Sequence, residues 1–243
     1  MRIPRHLSLG LCALALAWCA ARSQAGPITF ISQDRSVQGI ATIGTATDAD
    51  LKNSTDPGRF DQTAAKTLSA GGTQASASAS QQSFIDPDRL GSSGQLALAL
   101  VNPSQGDSAE AHSRFLTSFQ VNEPVLFSLR ANMSGSLEFN GALRLGRSDL
   151  ASFIIDTSLT PQQPDFSLDS QLGAGLYQLH FEPTAKVSGA AVDGTAPYSL
   201  FLETSPAAVI PLPPALWTAL APLALIFGIT LKSSRMRNAL LRL

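Results

Sequence analysis

Phe115, Thr117, Phe119 and Val121 fall on one parity of the chain, and Arg114, Ser118 and Gln120 fall on the other. Successive side chains of a strand point to opposite faces, so this alternation describes a strand with one face buried and one solvated. A helix would need apolar residues every three or four positions instead. The same rule continues through Val125, Phe127 and Leu129, Leu137 with Phe139, and Leu143 with Leu145. It returns at Tyr177, Leu179 and Phe181, and at Tyr198, Leu200 and Leu202. Asn122-Glu123-Pro124, Asn140-Gly141, Gly173-Ala174-Gly175 and Asp193-Gly194 punctuate the runs. Short alternating strands with such breaks predict an all-β chain, an antiparallel β-sandwich of jelly-roll-like form. No amphipathic helix pattern stands between Gly26 and Ser205.

The first third of this region carries less signal. Ile28 to Ile31 and Val37 to Ile43 read as edge strands, and Leu96 to Leu100 alternates clearly. Asp48 to Lys66 is polar and reads as a long loop. The Ala/Ser-rich stretch near 74–83 fits either a strand on a crowded face or a low-complexity linker. The expectation is one secreted domain over 26–206, loosely packed in its first third.

Residues 1–25 have the three parts of a secretory signal peptide. Arg2 and Arg5 form the basic start, Leu7 to Ala21 the apolar core, and Ser23-Gln24-Ala25 the small-residue site. Signal peptidase would then cut between Ala25 and Gly26. The apolar core is short for an uncleaved anchor, and Trp18 before Cys19 disfavours a lipidated cysteine. Cys12 and Cys19 are the only cysteines, so the mature chain would have neither disulfides nor thiolate sites.

Residues 207–243 form a second targeting segment. No charged residue stands between Ala207 and Leu231, and 215–231 is almost wholly apolar. As a helix, 215–231 would span roughly 25 Å, enough for a bilayer core. A buried core helix would show a polar face, which this run lacks. Lys232, Arg235 and Arg237 follow as a basic stop, in the position the positive-inside rule gives a cytoplasmic end. Before the span stands Pro211-Leu212-Pro213-Pro214, followed by Ala215-Leu216-Trp217.

A proline turn, an apolar helix and a basic end, in that order, resemble the PEP-CTERM sorting domain. Leu212 stands where the family's name calls for Glu, giving a Pro-Leu-Pro-Pro-Ala version of the motif. The resemblance implies an exosortase-like transpeptidase as partner, acting at Pro211 to Pro214. It implies export across the inner membrane, anchorage by the tail helix, and a cell-surface or extracellular location after tail processing.

The chain is 14% charged, below the roughly 25% usual for globular domains. All 18 acidic residues but only 10 of the 17 basic ones lie between Gly26 and Ala208, so this middle carries 10 − 18 = −8. Phosphate backbones would repel it, which argues against a nucleic-acid partner.

Catalytic signatures are sparse. His112 and His180 stand singly on polar parities, and neither a metal-binding His-x-x-x-His nor a Gly-x-Ser-x-Gly elbow occurs. Asp48-Ala49-Asp50 and Asp86-Pro87-Asp88 have the oxygens calcium favours, without the remaining ligands of a calcium loop. They read as solvated turn aspartates. Tyr177 and Tyr198 lie on apolar parity, and Trp18 and Trp217 belong to the targeting segments, so no aromatic sugar platform is evident.

The expectation is therefore a non-enzymatic protein of the cell surface or matrix, linked to exopolysaccharide or the cell envelope, with no cofactor. The alternative is a carbohydrate- or calcium-binding sandwich module, and a secreted glycan-acting enzyme ranks behind both.

Overall fold

A computed structural model describes residues 28–148, 150 and 152–206. The chain divides into Met1–Ala207 and Ala208–Leu243, and every described residue belongs to the first unit. The described residues hold twelve strands and no helix. These are β1 (Ile28–Ile43), β2 (Ala46–Ser54), β3 (Phe60–Ala70), β4 (Thr73–Asp86), β5 (Arg89–Val101) and β6 (Ser108–Val121). They continue with β7 (Val125–Met133), β8 (Phe139–Arg147), β9 (Ser152–Leu159), β10 (Asp165–Leu172), β11 (Gly175–Ser188) and β12 (Val192–Pro206).

Two six-stranded antiparallel sheets result, in the orders β2-β1-β6-β11-β8-β9 and β10-β7-β12-β5-β4-β3. Within β5 to β12 the pairs nest: β5 with β12, β6 with β11, β7 with β10, and β8 with β9. A long hairpin rolled into two sheets gives this nesting, which is the winding of a jelly roll. The hairpins β1–β2 and β3–β4 extend one sheet each, on the side of β6 and of β5.

The core is graded along the sandwich. Phe115, Phe119, Phe127, Leu129, Leu143, Leu145, Tyr177, Leu179, Phe181 and Leu200 fill one part, all buried. Around β1 and β4 the filling is small instead: Ala41, Ala64, Ala75, Ala77, Ala79, Ala109 and Ala111 are each 0% exposed. The sheets approach closely there, since a Cβ on Gly39 would stand 2.6 Å from the Ala77 carbonyl oxygen. The alternation of 74–83 is thus an inner row of small side chains in β4. The first third is tightly packed rather than loose, because small residues let the backbones come together.

Other sequence expectations change in detail. Ile28–Ile31 and Val37–Ile43 belong to one strand, β1, and it is an inner strand between β2 and β6. A register shift between Phe30 and Ser32 reverses which parity faces inward, and this divides the sequence pattern in two. Asp48 to Lys66 is mostly the edge strands β2 and β3 rather than a loop. Asn140-Gly141 and Asp193-Gly194 lie inside β8 and β12, not between strands.

Several polar groups are buried among the apolar ones. The Gln81 amide lies between the hydroxyls of Ser92 and Ser113. The Tyr198 hydroxyl stands 2.6 Å from Ser113 Oγ and 2.8 Å from the Ser80 carbonyl, and its burial pushes its pKa upward. Arg35, 1% exposed, donates from Nη1 to the Gly58 carbonyl at 2.7 Å and from Nη2 to the Asp56 carbonyl at 2.6 Å. Its guanidinium lies 5.3 Å from the centre of the Phe60 ring. Burial pushes the Arg35 pKa down, and Asp56 counters it.

Candidate functional site

The outer face of the first sheet carries charged side chains in rows across the strands. In the centre, β11 runs between β6 and β8, and His180 stands opposite Leu116 on one side and Arg144 on the other. Arg114 lies on the same face of β6. Adjacent strands are about 4.8 Å apart, so two side chains on β6 and β8 are separated by about 10 Å across the sheet.

A groove of about 420 Å³ opens over this row. Arg114, Arg144, Arg147, Ser148, Gln178 and His180 supply its polar lining, while Ser152 and Phe153 contribute from the start of β9. No Asp or Glu among the described residues lines it. Phe153 is 64% exposed. Its position follows from a register shift in the β8–β9 pairing, which sets it opposite Gly146. A Cβ on Gly146 would stand 3.1 Å from the Phe153 ring, so the missing side chain gives the ring its space.

Arg114 and Arg144 are anchored at the margins of the groove. Arg114 Nη1 is 3.2 Å from Asp34 on β1, and Arg144 Nε donates to Asp156 on β9 at 2.9 Å. A guanidinium has five N–H donors, so each pair leaves donors unused. Arg114 Nε is buried and makes no hydrogen bond. His180 Nε2 is also buried and has Glu182 Oε2 3.2 Å away as its neighbour on the same strand. Burial lowers the His180 pKa and Glu182 opposes this, while Arg114 and Arg144 lower it further. The ring is therefore neutral at neutral pH, and the groove's positive charge comes from the arginines.

The other residues singled out by sequence are dispersed. His112 shares the face but pairs with Glu110 at 2.6 Å, outside the groove. Burial alone would raise the Glu110 pKa, but Lys186 and His112 outweigh it and hold the carboxyl below its usual range. Asp48 and Asp50 point inward from β2, where Lys66 meets Asp48 at 2.6 Å and Lys52 meets Asp50 at 3.0 Å. Asp86 pairs with Arg89 at 3.0 Å in the β4–β5 turn. Among the described residues, no three His, Asp or Glu gather as metal ligands would. Tyr177 and Tyr198 are core residues, 2% and 4% exposed. Ala25, Gly26, Pro211, Leu212, Pro213, Pro214, Lys232, Arg235 and Arg237 lie outside the described residues, as do the segments 1–25 and 207–243.

Sequence reasoning placed Arg114 on the polar parity and no further, and it missed Arg144 and Phe153. Nothing along the chain links these residues, since the pairing of four strands brings them together.

The fold and this groove define an antiparallel β-sandwich with a basic recess on one outer face. Among solved structures, the chain is similar to the enzymatically active domain of Bacteriophage CBA120 tailspike protein 4, at TM-score 0.29 and 10% identity. That likeness covers 75% of this chain and 20% of the tailspike chain. It is also similar to the CBM22-1 xylan-binding domain from Paenibacillus barcinonensis, at TM-score 0.20 and 13% identity, over 63% of this chain and 99% of that one. Likenesses this distant do not bear on function. No family model matches the chain, and no curated protein matches it.

Proposed function

We propose that this chain is an exported, non-enzymatic protein of the cell surface or matrix, sorted by its tail through an exosortase-like system. The observation that carries the reading is the order of parts in 207–243: Pro211 to Pro214, the apolar run 215–231, and Lys232, Arg235 and Arg237. An apolar run of this length partitions into a bilayer, and the basic end fixes its direction. At the other end, residues 1–25 supply the export signal, with signal peptidase cutting after Ala25.

The body supports a binding role over a catalytic one. A glycan hydrolase needs two carboxylates facing each other across a cleft. The groove on the β6-β11-β8-β9 face offers arginines, an imidazole, an amide and a phenyl ring instead. The binding-module reading therefore joins the matrix reading, and calcium has no support from Asp48 and Asp50, which are engaged by lysines.

The test is fractionation of cells producing the full chain with and without an exosortase. The protein is expected in the membrane fraction when exosortase is absent and at the surface or in the medium when it is present. Replacing Pro211, Pro213 and Pro214 with Ala should hold it in the membrane in both strains. Release that ignores both the enzyme and the prolines would overturn the sorting reading.

A further inference from the structure

The β6-β11-β8-β9 groove has a chemistry more specific than general adhesion. Three arginines line it, Arg114, Arg144 and Arg147; Arg114 and Arg144 stand on strands two apart, so their attachment points are separated by about 10 Å across the sheet. A compact anion such as phosphate is held by donors converging on one point. Two guanidiniums on opposite sides of β11 suit charges spaced along a polymer.

Arg114 and Arg144 are each fixed at one edge by an aspartate and remain partly open to solvent, with side-chain exposures of 42% for Arg114 and 48% for Arg144. Planar carboxylates fit the fork of donors that remains. Gln178 and Ser152 add neutral donors and acceptors for hydroxyl groups. Phe153, exposed on the groove wall, offers an apolar face to the C–H surface of a ring. The buried Arg114 Nε, which makes no hydrogen bond, lies under the same groove. Leaving such an atom without a partner is costly in a folded protein, and a small side-chain rotation toward a ligand removes that cost.

We propose that this groove binds a carboxylate-bearing polysaccharide, a chain of uronate sugars. Arg114 and Arg144 take carboxylates of separate sugars, Gln178 and Ser152 take hydroxyls, and Phe153 covers one sugar face. The body around the groove is acidic, so its positive potential is local and selects where along the surface a polyanion settles. The proposal deepens the reading of the chain as a matrix protein and rests on it, by naming the class of matrix polymer.

The experiment is calorimetric titration of the full chain in mild detergent with short oligogalacturonates, xylo-oligosaccharides of matched length, and inorganic phosphate. Oligogalacturonate should bind, and both the neutral oligosaccharide and phosphate should bind at least about tenfold more weakly, the cost of losing charge-assisted contacts. Arg144→Gln and Phe153→Ala alter exposed side chains, so their melting temperatures should stay at the parent value while each weakens oligogalacturonate binding about tenfold or more. Absence of oligogalacturonate binding, binding untouched by both variants, or equal binding of phosphate would overturn the proposal. Failed titration of a chain whose tail is still processed rejects the ligand and leaves the sorting reading in place. Intact titration of a chain that is never processed does the reverse.

Discussion

Arg35 shows how one side chain can organise a turn at a distance. It leaves the inner face of β1 and takes the carbonyls of Asp56 and Gly58 in the β2–β3 turn. Its Nε has no partner, so the buried charge is only partly compensated. Arg35→Met removes that charge along with the two anchoring bonds, so the terms oppose each other in global stability. The expected result is a small change in melting temperature with much faster amide exchange at Asp56 to Arg59. Unchanged exchange there would show that the turn holds itself. His180 makes a second prediction at this scale. Burial and the two neighbouring arginines put its folded pKa below the ordinary value near 6.5. The unfolded chain therefore binds more protons, and stability is full above about pH 6.5 and is lost as pH falls through the folded pKa. His180→Gln should flatten the slope of melting temperature against pH in that window, and an unaltered slope would assign it to other groups.

The elements show what was legible in the chain and what was not. β6, β7, β11 and β12 could be read directly, because large apolar residues on one parity leave no other use for the pattern. β2 and β3 could not, because their inward positions include Asp48, Asp50 and Lys66. Those charges meet each other at the open edge of the sandwich, where edge strands commonly carry inward charges against pairing with other chains. β4 was ambiguous because alanine alternation looks alike in a linker and in a crowded sheet. Its meaning lies in Gly39 on the opposite sheet. Gly39→Ala places a Cβ against the Ala77 carbonyl at 2.6 Å, a backbone contact that moves only if the sheets separate. The expected cost is about 1–3 kcal/mol, seen as a lower denaturation midpoint with unchanged slope; a neutral substitution would contradict the close approach. The groove was illegible for another reason. Arg114, Arg144, Gln178 and Phe153 come from four strands, and only the nested pairing and the β8–β9 register shift make them neighbours.

On the scale of the whole chain, in the proposed reading, a delivery system and a delivered body divide the work. The outer face of the first sheet carries the basic groove. The second sheet's outer face has small and polar residues around β4 and β5, including Ser76, Ser78 and Ala97, and charged ones toward β7 and β10, including Arg130, Asp165 and Asp169. In the proposed reading the tail sets location and the groove sets what the body meets there. Both parts depend on the chain being exported and its tail being read. Intact-mass measurement of the protein recovered from the surface or medium of an exosortase-bearing host tests this most directly. The account predicts a product that begins at Gly26 and lacks the residues beyond about Pro213. A product that still carries Leu243 would contradict it.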